Sequence, residues 1–228
     1  MSNTAIVTGY SAGLGREFTA TLLREGWSVV GVSRNTEDEQ LDQQYPGKLT
    51  VVHGPVDEQE TVDAAFAAAT SSGDFRLLIN CAGVGVFGEI GSYSANDVHA
   101  VLTGNLAGLM LFSDKAVNHL REGGGDIVNV MSTAGKKLRA AETMYVASKW
   151  GAKGYTRGLR DAVKSLKLPI RVFEVYPCGM NTRFWESAIR PVATRDSFPE
   201  PGAIAEQVIA EVLTRRPVYC QEFTFERS

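Results

Sequence analysis

Short apolar runs rich in β-branched residues recur along this chain: Ala5–Val7, Val29–Val32, Leu49–Val52, Leu77–Ile79, Ile127–Val130 and Ile170–Val175. Longer stretches of helical periodicity separate most of them, among them Leu14–Glu25, Glu58–Thr70, Ala95–Leu120 and Met144–Leu166. A run that is apolar at every position needs cover on both faces, and the helices that join parallel strands supply it. The expected fold is therefore α/β, a doubly wound parallel sheet with helices on both faces, in a single domain over residues 1–228. Local punctuation agrees. Ser94 is placed to cap the helix that follows, Gly123-Gly124-Gly125 interrupts the chain before the fifth run, and Pro169 opens the sixth. From Arg183 to Gly202 the pattern is irregular and holds three prolines, which predicts a short substrate cover at about 183–202 and then a helix near Ala203–Arg215.

Directly after the first run stands Thr8-Gly-Tyr-Ser-Ala-Gly-Leu-Gly15. In a parallel sheet, the first strand-to-helix turn presents backbone N–H groups and the positive end of a helix dipole, a seat for a pyrophosphate that side chains would obstruct. Gly9 suits the tight turn, Gly13 the close approach of the phosphates, and Gly15 the contact of helix with sheet. At the end of the second run stand Ser33 and Arg34, with no carboxylate where an NAD-specific site places one for the ribose 2′-hydroxyl. Arg34 can meet a 2′-phosphate, so NADP(H) is expected over NAD(H). The alternative, in which Arg34 is solvated or neutralised by Glu37-Asp38-Glu39, stays open.

Ser132 lies just past the fifth run, and Tyr145-x-x-x-Lys149 opens a helix, its spacing placing both side chains on one face. Ligands in open α/β sheets bind outside the carboxyl ends of the strands, where the Gly9 turn and Ser132 both fall. Phenol, hydroxyl and ammonium thus converge on one crevice, and Lys149 is expected to lower the Tyr145 pKa toward a useful range.

Composition narrows the partners. The net charge is −3 and the isoelectric point near 5.7, which leaves no basic surplus for nucleic acid. No apolar run is long enough for a membrane helix, and no basic and apolar leader stands at the N-terminus, so a cytoplasmic location is expected. Cys81, Cys178 and Cys220 are widely spaced and odd in number, which predicts neither disulfide nor metal site.

In order along the chain, Thr8-Gly9-x-x-x-Gly13-x-Gly15, Asn80-Cys81-Ala82-Gly83, Asn105, Ser132, Tyr145-x-x-x-Lys149 and Pro177-x-Gly179 resemble the motifs of the short-chain dehydrogenase/reductase family, and the likeness covers nearly the whole sequence. The resemblance implies a Rossmann-like fold and hydride exchange between a nicotinamide cofactor and a small carbonyl or alcohol substrate. It makes Tyr145 the proton donor or acceptor. Ser132 holds the substrate oxygen, Lys149 binds the nicotinamide ribose and Asn105 supports a water relay. Implied cofactor contacts are Thr8, Gly9, Ser11, Gly13, Leu14, Gly15, Ser33, Arg34, Val56, Asp57, Asn80, Ala82, Gly83, Tyr145, Lys149, Pro177, Gly179 and Thr182.

There are departures. Cys81 replaces a common second Asn and is expected to be a small packed thiol. Cys178 interrupts the usual Pro-Gly, as a substrate contact or as simple packing. Pro55 stands where the family commonly has an Asp for adenine, passing that contact to Asp57 if it persists, and Ala12 stands where NADP-preferring relatives often carry a basic residue. By position, Val84, Val86, Phe87, Phe184 and Trp185 surround an apolar pocket. Gly104, Ala107, Gly108, Gly151 and Gly154 would permit the close helix contacts of a homodimer or homotetramer. Two other functions share these features: a non-catalytic NADP(H)-binding sensor or scaffold, and an isomerase or dehydratase that uses the cofactor transiently.

Overall fold

The computed structural model describes residues 2–34, 38–187, 198–214, 216 and 218–227. Seven parallel strands form one sheet in the order β3-β2-β1-β4-β5-β6-β7. They are β1 (Asn3–Thr8), β2 (Ser28–Ser33), β3 (Leu49–His53), β4 (Asp74–Asn80), β5 (Gly125–Val130), β6 (Ile170–Tyr176) and β7 (Glu222–Thr224). The helices are α1 (Gly13–Arg24), α2 (Glu39–Gln44), α3 (Gln59–Ser72), α4 (Ala95–Leu102), α5 (Gly108–Leu120), α6 (Thr143–Ser165) and α7 (Gly202–Leu213).

Each face of the sheet carries its own core, as strands apolar on both sides require. On one face Phe18 and Leu22 of α1 and Ile204 and Val208 of α7 pack on Val7, Ile79 and Phe173. On the other, Val62 and Phe66 of α3 and Phe112 and Ala116 of α5 cover Ile6, Val30, Leu78 and Ile127. The chain winds outward from β1 to β3 and then returns to β4 on the other flank of β1, so the crevice of the fold opens at the carboxyl ends of β1 and β4.

Six strands fall where the apolar runs lie, with ends extended by a few residues. Two short elements carry no such signal. Helix α2 has a single buried residue, Leu41, and is started by Asp38, whose side chain accepts a hydrogen bond from the Leu41 N–H at 3.2 Å. Strand β7 is three residues of Glu-Phe-Thr on the sheet edge. Ser94 forms the capping box of α4, with reciprocal bonds to Asp97. The stretch Ala95–Leu120 is two helices rather than one, joined through a π-helical turn over Thr103–Ala107 that has Asn105 buried within it.

The glycines expected to serve an interface are mostly spent inside the chain. A side chain at Gly108 would fall 2.4 Å from Val56, one at Gly151 would fall 3.0 Å from Leu106, and one at Gly104 would fall 3.4 Å from Val84. Gly154 meets nothing within 4 Å. Among the described residues no helix is long and apolar enough to cross a membrane.

Candidate active site

The glycine turn is shaped by close approach. Gly9 has φ +71°, and a Cβ there would lie 2.9 Å from the Ala82 Cα; one at Gly15 would lie 2.1 Å from the Gly9 carbonyl oxygen. The Gly9 N–H donates to the Val32 carbonyl at 2.8 Å, and the Thr8 hydroxyl accepts the Cys81 and Ala82 N–H groups, both at 3.1 Å. Thr8 thereby ties the end of β1 to the segment after β4. From beyond β6, the Thr182 methyl reaches to within 3.1 Å of where a Gly13 side chain would begin. Ser11 sits half-buried in the turn, while Leu14 is buried in the core. Helix α1 has Ala12 at its N-cap, no capping side chain and no acidic residue in its first turn. A glycine cradle beside an uncapped helix start fits the pyrophosphate of a dinucleotide.

At the end of β2, Ser33 is buried and Arg34 exposed. The acidic run nearby is differently engaged than its charge alone implies: Asp38 caps α2 and also pairs with Arg16, Nε to Oδ2 2.5 Å. Glu37 lies outside the described residues. Val56 packs against Gly108 at the start of α5, and Asp57 occupies the turn before α3. Both fall at the carboxyl side of β3.

The remaining candidates meet between β4, β5 and α6. Asn80 is buried and donates to Asn129 Oδ1 at 2.8 Å and to the Ser113 hydroxyl at 3.0 Å, while Asn129 donates to Thr156 at 3.0 Å. This chain of bonds clamps β4, β5, α5 and α6 together, so Asn80 acts on the sheet. Asn105 accepts the Val84 N–H at 2.7 Å and donates to the Val84 carbonyl at 2.9 Å and to the Ser148 hydroxyl at 3.0 Å; Ser148 in turn donates to the Tyr145 carbonyl at 2.7 Å. The π-helical turn aims this amide at its partners, a widened turn of the kind found at functional sites. Gly83 leaves room for both sides, since a Cβ there would lie 3.0 Å from Asn105 Oδ1 and 3.6 Å from Lys149 Nζ.

Tyr145 and Lys149 are buried one turn apart on α6. Lys149 Nζ lies 5.7 Å from the Tyr145 ring centroid and donates to the Val130 carbonyl at 3.3 Å. Among the described residues no carboxylate pairs with this ammonium. Ser132 starts the Thr133–Gly135 turn after β5 beside the Tyr145 phenol, and its hydroxyl accepts the Ala134 N–H at 3.1 Å. Over the phenol lies an aromatic wall: Phe87 and Phe184 have ring centroids 5.5 and 5.6 Å from Tyr145, and Trp185 stacks on Phe87 at 5.8 Å. Pro177 accepts the Thr133 N–H at 3.1 Å, and Gly179 leaves space for Phe198 and Trp185.

Residues 3–192 match the family model for short chain dehydrogenase. The chain belongs to the short-chain dehydrogenase/reductase family. It is 33% identical to carbonyl reductase family member 4 of Danio rerio over 92% of this chain and 90% of that protein. The X-ray structure of an alcohol dehydrogenase from the archaeon Thermococcus sibiricus, complexed with 5-hydroxy-NADP, superposes over 99% of this chain and 96% of its own with a TM-score of 0.87 at 23% identity. The 3-ketoacyl-(acyl-carrier-protein) reductase of Brucella melitensis, complexed with NADH, does so over 97% and 95% with a TM-score of 0.86 at 22% identity. At those identities the two structures speak to the fold. Short-chain dehydrogenases are oxidoreductases that work with a nicotinamide cofactor.

In this short-chain dehydrogenase the phenol is not tuned as the motif alone implies. Burial dominates at Tyr145 and raises its pKa above the ordinary tyrosine value, with the neighbouring Ser132 hydroxyl pulling the other way; Lys149 does not set it. Lys149 itself is lowered to about 8 by burial. Desolvation pushes the Cys81 thiol up to about 12, which suits the packed thiol expected there. Cys178, half-buried, is also raised by desolvation, so neither thiol is an activated nucleophile.

Motif reading passed over Lys136 and Arg227. Lys136 follows the Ser132 turn and hydrogen-bonds Glu222 and Thr224 of β7; Arg227 lies 4.6 Å over the Phe198 ring, which touches Trp185. Only the tertiary fold brings residues so far apart in sequence together.

The Lys149 pKa makes a stability prediction. Its folded value lies below the ordinary value of 10.5, so keeping the buried group charged opposes folding fully below pH 8 and less and less between pH 8 and 10.5. Lys149→Met is expected to be more stable than the parent at pH 7, by up to about 3 kcal/mol, with the gap closing as pH rises through that window. Urea titrations of both proteins across pH check this, and a gap that does not change with pH contradicts it.

Proposed function

We propose that the protein is an NADP(H)-dependent oxidoreductase that interconverts a carbonyl and a secondary alcohol, with Tyr145 as proton donor and acceptor. The observation that carries this is the meeting of Ser132, Tyr145 and Lys149 at the strand ends that also hold the Gly9 to Gly15 cradle. The carbonyl reductase name of the Danio rerio relative and the NADP derivative in the Thermococcus sibiricus structure support the same direction.

When bound, the nicotinamide supplies or takes up the hydride. Ser11, Gly13, Leu14 and Gly15 would cradle the pyrophosphate with backbone N–H groups, and Gly9, whose own N–H is held by the Val32 carbonyl, would form the tight turn beneath it. Ala82 and Gly83, held in place from beneath by Thr8 and Asn80, would form the adenosine-side wall, with Val56 and Asp57 toward adenine. Ser33 and Arg34 would take the 2′-phosphate, since Arg16 is committed to Asp38. Pro177, Gly179 and Thr182 would flank the nicotinamide. Lys149, with one hydrogen bond to Val130, keeps two N–H donors for ribose hydroxyls.

The chemistry then falls to the chain's own groups. A phenol with a raised pKa stays protonated throughout the neutral range, the form needed to reduce a carbonyl. Tyr145 gives its proton to the substrate oxygen as charge grows there, and Ser132 donates a hydrogen bond to the same oxygen, a preorganised contact worth about 3 kcal/mol in such sites. Asn105 has both N–H donors in use, and the free lone pair of Oδ1 beside Gly83 is where a relay water would dock. Phe87, Phe184 and Trp185 favour an apolar carbonyl substrate. Of the cover expected at about 183–202, the described residues Phe184, Trp185 and Phe198 border this pocket. Its described flanks are tied together by the Asn181 N–H on the Pro199 carbonyl at 3.0 Å, and residues 188–197 lie outside the described residues. We also infer a homodimer or homotetramer through the α4, α5 and α6 surface, where Leu102, Met110 and Trp150 are exposed; light scattering reads the state directly.

Tyr145→Phe is expected to lower carbonyl turnover about 100-fold or more, with NADPH affinity by fluorescence titration within twofold of the parent; retained turnover refutes the proton role. Arg34→Ala is expected to weaken NADPH about tenfold and leave NADH unchanged, and equal weakening of both refutes the 2′-phosphate contact.

A further inference from the structure

The segment from Glu222 to Arg227 touches both walls of the candidate site. On one side lies the turn that carries Ser132. Its backbone is closed by the Gly135 N–H on the Ser132 carbonyl at 2.8 Å, the Lys136 N–H on the Thr133 carbonyl at 3.0 Å and the Lys137 N–H on the same carbonyl at 2.9 Å, while the Ser132 hydroxyl accepts the Ala134 N–H at 3.1 Å. The two lysines that close this turn send their side chains to the C-terminal segment. Lys136 reaches Glu222 and Thr224 and passes 4.3 Å over the Tyr176 ring, and Lys137 pairs with Glu226 at 2.7 Å. On the other side, Arg227 lies over Phe198, Phe198 packs tilted against Trp185 at 5.5 Å, and Trp185 stacks on Phe87, which lies against Tyr145.

The segment is itself firmly seated. The Phe225 N–H donates to the Tyr176 carbonyl at 3.0 Å, and Glu222 also pairs with Arg157 at 3.0 Å. Arg157 and Arg160 in turn meet the fully buried Glu174 at 3.3 and 2.8 Å. Lys136 therefore ends in a network anchored in the sheet, a different situation from an isolated surface pair, which contributes little. The Lys136 contact, with Arg157 helping, holds the Glu222 carboxyl below the ordinary range, so the bond is ionic at neutral pH.

We propose that residues 222–227 brace the active site, and that Lys136 is a positioning residue whose bond to Glu222 and Thr224 fixes the Thr133–Gly135 turn and with it the Ser132 hydroxyl against Tyr145. This rests on the carbonyl-reduction reading for its catalytic consequence, and on the hydrogen bonds alone for its structural one. A hydroxyl that must meet a developing oxyanion is sensitive to displacements near 1 Å, which lower rates far more than they lower stability.

The test compares the full chain with Lys136→Met, Lys136→Arg and the double variant Glu222→Gln/Thr224→Val. Lys115→Met, which breaks the distant Lys115–Asp63 pair, serves as control. Two readouts are taken: steady-state reduction of an apolar carbonyl with NADPH, and amide hydrogen exchange over residues 131–137. Lys136→Met and the double variant are expected to lose about tenfold in kcat, with NADPH affinity within twofold and faster exchange at Ala134 and Gly135. Lys136→Arg recovers most of both, and Lys115→Met changes neither. Unchanged exchange in Lys136→Met overturns the brace. Faster exchange with unchanged kcat overturns the positioning role, and so does a loss of kcat matched by an equal loss of NADPH affinity or not recovered in Lys136→Arg. If the parent reduces no carbonyl, the proposed function fails by itself, and the exchange data still decide whether the brace exists.

Discussion

Lys149 carries an ammonium into the protein at the carboxyl end of β5 and meets no carboxylate there among the described residues. Its neighbours are the Val130 carbonyl, the Tyr145 ring and the space left by Gly83. Burial, opposed in part by Cys81, brings its pKa to about 8, a group held at a cost to folding. A strand end in a parallel sheet can tolerate this charge because cores on both faces fix the strands from which the site hangs. The arrangement suits a cation that is completed by hydroxyls brought in from outside. The stability given up at such a position is the usual companion of a binding site.

The same logic runs through the polar groups around it. Asn80, Asn129, Ser113 and Thr156 are linked by hydrogen bonds between strands and helices, which tie the ends of β4 and β5 to each other and to α5 and α6, while Asn80 Oδ1 is buried without a partner among the described residues. Asn105 and Ser148 link the loop after β4 to the backbone of Tyr145. The π-helical turn is the local distortion that lets Asn105 face inward from the junction of two helices. At β1, Thr8 and the glycines bring the first turn against Ala82 so closely that no side chain fits. The glycine turn and the Ser132, Tyr145 and Lys149 side chains are thus held at the carboxyl end of the sheet by short contacts between neighbouring strand ends.

Much of this was legible in the sequence, because parallel strands and their crossover helices write their pattern locally. Six strands, the glycine turn, the Ser94 cap and the juxtaposition of Ser132, Tyr145 and Lys149 follow from runs, spacings and the strand-end rule. What escaped was set by distant partners. Strand β7 is too short and polar to announce itself, and α2 is a single capped turn around Leu41. The bonds from Lys136 to Glu222 and Thr224 join positions that only the closed sheet brings together. Asp38 was legible as charge, but its commitment to Arg16 was not. The phenol's pKa lies above the ordinary value rather than below it because the motif shows the ammonium and hides the burial that dominates. Three of the glycines expected to permit helix contacts between subunits, Gly104, Gly108 and Gly151, face Val84, Val56 and Leu106 of the same chain.

The central claim is that the crevice at β1, β4 and β5 delivers a hydride and a proton to the same carbonyl group. A single-turnover reaction with NADPH deuterated at the transferable C4 position, run over a panel of apolar ketones and aldehydes, tests it most directly. The account predicts loss of the reduced nicotinamide absorbance together with an alcohol that carries the deuterium on its carbinol carbon. A protein that binds the cofactor yet transfers no deuterium to any of these carbonyls contradicts it.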